Sequence, residues 1–436
     1  MYNLYMDEKG PQETFKISEP FDKKEKIAYG SDQMHVYAAN VIGISKNIIS
    51  IIEEKYTSIE NNFLALRHNL KGKELKGQSI LKNNFAYGVA SLKDNEITFY
   101  RDLFEVLIDN DVYNLFFSIS KMSTVIDTRL GNWMLELESR SFIDSVVLLK
   151  YSLTKYAEIE ASEIVIQKLL DPSVETKELL NEIRKDLTYI IESNKGNKRM
   201  ETQINEYKKM TKVIKKFNYI NNSKSNPIKF DWNKVVFALD LWLTEHKVQS
   251  LFDFTDTNLF LDQGIPKTPF EELNLKDIKK DCISRNNVGI RISDVLVALI
   301  GNYISKLRID VLYDFDKPAK IKLLPEKWFD FSESQFELIK LIYLYFLGSN
   351  NTYDFVTDTY FDDTVVIESF LQYVSSYSSY SNYRNVSLKI HSTNFLKTFH
   401  NNSVYRWKTG VDNERTIKSM YGNYRKGIET GDIRPL

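Results

Sequence analysis

The stretch NLYMDEKGPQETF, residues 3–15, sets how the rest of the chain is read. A short apolar run ends in two adjacent carboxylates, Asp7 and Glu8, and Gly10 and Pro11 then turn the chain. Continued to Ser18 it predicts a strand, a turn and a second strand, because two apolar-rich runs here flank a Gly-Pro pair. A surface turn by itself accounts for two carboxylates at a strand end. The segments that follow give the position more weight. MHVYAANVIGIS (34–45) predicts a third strand, with His35 inside it, and KNIISIIEEKYTSIENNFLALR (46–67) repeats its isoleucines at helical spacing. Strands followed by a helix open an α/β fold.

Further along, DNEITFYRDLFEVLIDN (94–110) predicts an amphipathic helix capped by Asp94 or Asn95, and DVYNLFFSISK (111–121) a buried strand. From about residue 135 to 230 the pattern is helical without obvious strands. KVQSLFDFTDTN (247–258) returns to strand character and ends in Asp253 and Asp256. NNVGIRISDVLVALIGNYISKL (286–307) predicts an apolar helix that begins near Ser293. Beyond about residue 316 the chain is again mostly helical.

Bulk properties narrow the function classes. A chain of 436 residues has room for two or three domains. A net charge of −1 excludes a globally basic nucleic-acid binder, so phosphate contacts would need a local patch. The single cysteine, Cys282, excludes a disulfide framework and a thiolate zinc site, and fits a reducing compartment. No charged-then-apolar leader opens the chain, and no apolar run approaches the roughly 20 residues of a spanning helix, so a cytosolic protein without membrane contact is expected. The five histidines show no His-x-x-x-His spacing, and neither a Walker loop nor a Gly-x-Ser-x-Gly elbow is present. Any enzymatic reading therefore rests on carboxylates.

Three carboxylates stand out. Asp294 falls in the first turn of its predicted helix, where the exposed N–H groups favour an acidic residue for structural reasons alone. Glu74, in GKELKGQSIL, is followed by Lys76 in what reads as a solvated loop. Asp253 ends a predicted strand, and Asp256 is its nearest substitute. YMDEKG, GKELKGQSIL and NVGIRISDVLVALIGNYI together, in this order and rough spacing, resemble the family known as domain of unknown function 3800. Its members typically begin with a strand running into Asp-Glu-Ser-Gly, carry a Glu-x-Lys loop, and end with a helix introduced by Gly-x-Gln-x-Ala-Asp. Here Asp7, Glu8, Gly10, Glu74, Lys76, Gly289 and Asp294 match, while Lys9, Arg291 and Ser293 replace Ser, Gln and Ala. The resemblance covers roughly residues 1–125 and 245–310.

The resemblance implies an α/β fold: an RNase H-like mixed sheet in two parts (1–130 and 246–315), a helical insertion (131–245) and a helical C-terminal region (316–436). It implies a nuclease dependent on Mg²⁺ or Mn²⁺, from a family often suspected of defence against phage or mobile elements. Asp7 would bridge two ions, Glu74 and Asp294 would complete the shell, Asp253 would be its weakest member, and Lys76 would meet a phosphate or the leaving group. The chemistry is coherent, because paired divalent ions stabilise both the attacking and the leaving oxygen, and such hard cations take oxygen ligands. The alternative is a non-catalytic scaffold of the same fold that binds nucleic acid or a partner protein; the replacements at Lys9, Arg291 and Ser293 support it. DNA and RNA are not distinguished, and a second copy of the chain is a further expected partner. For nucleic acid, Lys208, Lys212, Lys215 and Lys216 share one predicted helix face. The aromatic and basic groups of YVSSYSSYSNYRN (373–385) and NNSVYRWKTG (401–410) suit stacking of bases.

Overall fold

The computed structural model describes residues 1–10, 15–28, 34–67, 74–81, 85–143, 145–248, 256–312, 322–348, 355–357 and 362–421. Its centre is a mixed sheet built on two long buried strands, β1 (Tyr2–Lys9) and β4 (Val36–Ser45), paired antiparallel so that Asp7 lies opposite Asn40. The intervening β2 (Lys16–Ile17) and β3 (Ile27–Ala28) form a separate two-residue ribbon. The strand expected straight after Gly10 is therefore not the partner of β1. Both edges of β1 are already taken, by β4 on one side and β6 (Asn258–Asp262) on the other. With β5 (Tyr113–Ser120) and β7 (Asp277–Cys282) the order is β7-β6-β1-β4-β5, and the three-residue β8 (Phe355–Thr357) adds to β5. Strands β1, β4 and β5 form an antiparallel meander, whereas β6 runs parallel to β1 and β7 parallel to β6.

Side chains alternate between the two sheet faces. On one face lie Leu4, Met6, Tyr37, Val41, Leu115 and Phe117, covered by a helix from Trp232 to Val248. On the other lie Tyr5, Val36, Ala38, Ile42 and Phe116, covered by helices α1 (Ile49–Ala65), α2 (Gly77–Leu81) and α3 (Asp94–Asp109) and by a helix at Val288–Val311. Helix α3 is capped by Glu96, whose carboxylate accepts the Lys93 N–H at 2.9 Å, in place of the expected Asp94 or Asn95.

A second, purely helical core spans Met122 to Ile228. It contains α4 (Lys121–Ser139), α5 (Val146–Ile159), α6 (Glu163–Leu170), α7 (Thr176–Ser193) and α8 (Glu201–Phe217), and takes Ile27 from the small ribbon. Helix α4 starts directly at the end of β5, where the Ser120 hydroxyl accepts the Ser123 N–H at 3.1 Å. The helical pattern thus begins earlier than about residue 135. Residues 232–248 form α9, the helix on the sheet's other face; most of the strand expected at 247–258 lies outside the described residues, and β6 runs from Asn258 to Asp262.

The long helix α10 (Val288–Val311) is apolar nearly all round, the signature of a buried helix. It has the length and composition of a membrane span, yet 78% of its most apolar window is buried within the molecule. It crosses β1 closely enough that a Cβ on Gly289 would stand 2.1 Å from Cγ of Tyr5. Helices α11 (Glu333–Tyr343), α12 (Asp362–Ser375), α13 (Tyr380–Arg384) and α14 (Leu388–Tyr421) follow. Phe336, Phe370, Tyr383 and Phe395 from these helices join the same core as α1, α3 and α10. In the Ser/Tyr-rich stretch the rings are used internally: Tyr383 stacks on His391 at 4.0 Å, and the Tyr373 and Tyr377 hydroxyls meet at 2.9 Å.

Candidate active site

Strand β1 alternates Tyr5 and Asp7 onto the face covered by α10, and Asp7 is 4% exposed. Its Oδ1 accepts the Glu8 N–H at 2.6 Å. On the neighbouring parallel strand, Met6 pairs with Leu261, which puts Asp262 in register beside Asp7. The Tyr5 and Phe260 rings stack at 4.8 Å one step back along the same face, so alternation directs Asp7 and Asp262 to one side. Opposite them stands Asp294 of α10, whose Oδ2 accepts the Gly77 N–H at 2.8 Å. Helix α10 begins at Val288, not near Ser293, so Asp294 lies in the second turn, beyond the exposed N–H groups that would explain a carboxylate at a helix start.

Glu74 and Lys76 lead into α2. Lys76 Nζ is 3.1 Å from Glu74 Oε1 and donates to Ser284 Oγ at 3.0 Å, while the Ser284 hydroxyl donates to Glu74. Helix α2 can lie this close to α10 only because residue 77 is glycine: a Cβ there would be 2.6 Å from the Asp294 carbonyl oxygen.

Electrostatics tie these groups together. Burial, followed by the charges of Asp294 and Asp262, holds the Asp7 carboxyl well above its ordinary range, and Lys76 opposes this. Burial also raises Asp294 against the Gly77 hydrogen bond and Lys76, and raises Asp262. For Glu74, burial pushes upward, but the Ser284 and Lys76 bonds outweigh it and the carboxyl sits low. Burial disfavours the Lys76 ammonium, yet Asp294 and Glu74 leave it raised overall. Three carboxylates that resist ionisation together, opposed by the Lys76 ammonium and, at Asp294, by the charge of Lys9, form a site short of positive charge.

Of the residues expected from sequence, Asp7, Glu74, Lys76 and Asp294 come together. Asp253 lies outside the described residues. Asp256 is at the other end of β6, bonded to Lys276 at 3.0 Å, and the strand-end carboxylate at this site is Asp262. Its signal was available in NLFLDQG (258–264), a short continuous apolar run closed by Asp and a turn-forming Gly. The residues that depart from the family pattern have structural partners. Arg291 pairs with Glu60 and lies over the Tyr56 ring, and the Ser293 hydroxyl donates to the Asn40 carbonyl at 2.6 Å. Lys9 donates to Gln78 at 3.0 Å and bears on Asp294 through its charge. Lys208, Lys212, Lys215 and Lys216 are exposed on α8, whose buried face packs into the helical core and not onto the sheet.

Among the described residues, no group of three or more His, Cys, Asp or Glu side chains is arranged to hold a metal ion as it stands. The donor set is nonetheless all oxygen, and it includes one orphan: Asn40 Oδ1, fully buried directly across from Asp7, has no hydrogen-bond partner. A hard divalent cation, or its water, fits such a donor set. Compared with protein-family models, curated proteins and solved structures, the chain matches none.

On the opposite sheet face, Glu8 accepts the Tyr37 hydroxyl at 2.7 Å, and burial raises its pKa to about 7. A raised carboxyl favours the protonated native form. Stability therefore falls as pH climbs from the ordinary Glu value of about 4.3 to about 7. Glu8→Gln is expected to flatten this part of the pH–stability curve in urea melts; an unchanged slope would remove Glu8 from the account.

Proposed function

We propose that the protein is a nuclease that hydrolyses phosphodiester bonds with Mg²⁺ or Mn²⁺ held by Asp7, Asp262 and Asp294, with Glu74 at the edge. The observation that carries this reading is the convergence of the buried Asp7 with the partly buried Asp262 and Asp294, mutually repelling, from β1, β6 and α10. The sheet supports it: three antiparallel strands and two parallel ones on the other side of β1, in the order β7-β6-β1-β4-β5, are what an RNase H-like sheet would have. Its relation to domain of unknown function 3800 and a part in defence against phage or mobile elements belong to the same proposal.

The bound ion would supply Lewis-acid stabilisation of the phosphoryl oxygens and an activated water. The chain's own contributions are three. Asp7 and Asp294, held by the Glu8 and Gly77 N–H groups, keep two carboxylates aimed into one volume. Burial under α10 keeps the local dielectric low, which strengthens each charge there. Lys76, half-exposed and tethered by Glu74 and Ser284, presents an ammonium to a substrate phosphate or departing oxygen.

The test is a metal titration followed by cleavage assays. Mg²⁺ or Mn²⁺ binding only the native state at 100 times its Kd is expected to add about 2.7 kcal/mol of stability, and the gain should vanish in Asp7→Asn/Asp294→Asn. Metal-dependent cleavage of DNA or RNA lost in that double variant would establish the activity and its substrate. A second reading, a non-catalytic scaffold, is favoured by Lys9 and Lys76 standing against the carboxylates where cations would sit. No metal-induced stabilisation and no cleavage would select it.

A further inference from the structure

Well away from the carboxylates, a cavity of about 660 Å³ lies among α5, the start of α8, the end of α10, and α12 and α14. Arg308, on its wall, is about 21 Å along α10 from Asp294, at 1.5 Å per residue. The volume falls within the range of small-molecule sites, and the walls divide into an aromatic part and an ionic part.

The aromatic part centres on Trp407, from the aromatic-basic stretch NNSVYRWKTG. Its ring centroid is 5.2 Å from that of Tyr151, and Phe399 and Val366 extend the apolar lining. In the ionic part each carboxylate has at least one partner, although Asp363 Oδ2 is buried without one. Asp362 accepts Lys155 at 2.7 Å and the Tyr151 hydroxyl at 2.8 Å. Glu158 accepts Arg308 at 3.0 Å and Ser120 at 2.9 Å; Asp363 meets His35 at 2.7 Å; Glu206 meets Lys209 at 2.6 Å. Among the described residues, neither Lys322, which donates to the Ile309 carbonyl at 3.4 Å, nor Lys408 is paired with a carboxylate, and both line the cavity. Gln203, Thr202 and Ser403 add groups able to meet hydroxyls.

We propose that this cavity binds a nucleotide, its base against Trp407 and Tyr151 and its phosphate toward Lys408 and Lys322. Stacking on an aromatic face accepts any base, and two ammonium groups without a carboxylate partner at the cavity wall favour a ligand that carries an anion. A free mononucleotide and the end of a single strand present the same chemistry. The inference is independent of metal binding at Asp7 and Asp294.

The probes are AMP, GMP, CMP and UMP singly, and a short single-stranded oligonucleotide, titrated calorimetrically into the full chain. Binding of at least one probe is expected, weakened about ten-fold or more by Trp407→Ala and also weakened by Lys408→Glu, with circular dichroism unchanged. A mononucleotide binding as tightly as the oligonucleotide would assign the site to free nucleotides; clearly tighter oligonucleotide binding, still dependent on Trp407, would assign it to a strand end. No binding by any probe, or binding indifferent to both Trp407→Ala and Lys408→Glu, would overturn the proposal.

Discussion

Asp294→Asn is expected to reduce metal-dependent phosphodiester cleavage by about 10²–10³-fold or more, the loss typical when one preorganised electrostatic group is removed from a catalytic site. The substitution is conservative in shape. The Asn carbonyl can still accept the Gly77 N–H, now made by Asp294 Oδ2 at 2.8 Å, so α2 should stay docked on α10. What disappears is one negative charge from a buried group of like charges. Without metal the variant should therefore be more stable than the parent, because Asp7 no longer ionises against Asp294. With metal the order should reverse. Activity and metal-free stability moving in opposite directions is the signature of a working carboxylate cluster. Melting curves with EDTA and with Mn²⁺, beside single-turnover cleavage, measure both. An Asp294→Asn protein that cleaves normally, or that is destabilised without metal, would count against the assignment.

Gly289→Ala is expected to destabilise the protein by about 3 kcal/mol or more, the upper end for forced overpacking. Alanine would ordinarily improve a helix by about 1 kcal/mol over glycine. Here the new Cβ would meet Tyr5 at 2.1–2.6 Å, and the Tyr5 ring, 4% exposed and stacked on Phe260, has no room to retreat. Helix α10 would have to lift from β1, carrying Asp294 away from Asp7, so metal-induced stabilisation should fall with it. A double-mutant cycle with Tyr5→Ala, followed by urea unfolding, isolates the contact. Additive losses in that cycle would show that Gly289 is tolerated for some other reason.

The strands with strong apolar runs, β1, β4 and β5, were legible in the sequence because their signal is local. So was α10, whose apolar residues leave no polar face. The partner of β1 was not legible: strand pairing depends on which edges remain free, and β6 comes from more than two hundred residues further on. The same cause explains the carboxylate at residue 262. Asp253, Asp256 and Asp262 are alike as letters in a run of Phe, Leu and Thr. Only the parallel register, Met6 against Leu261, selects the one that stands beside Asp7.

By itself the sequence determined an α/β chain with a large helical block, a single cysteine and five scattered histidines, and a small set of carboxylates spaced far apart. Those properties follow from residue type and local periodicity. The tertiary structure decided which carboxylates meet, that Arg291 and Ser293 hold the scaffold, that Asn40 faces Asp7 with an unpaired oxygen, and that Trp407 borders a cavity. Those properties depend on register and helix crossing. Both are set by the burial of side chains contributed from distant parts of the chain, which no local stretch can encode.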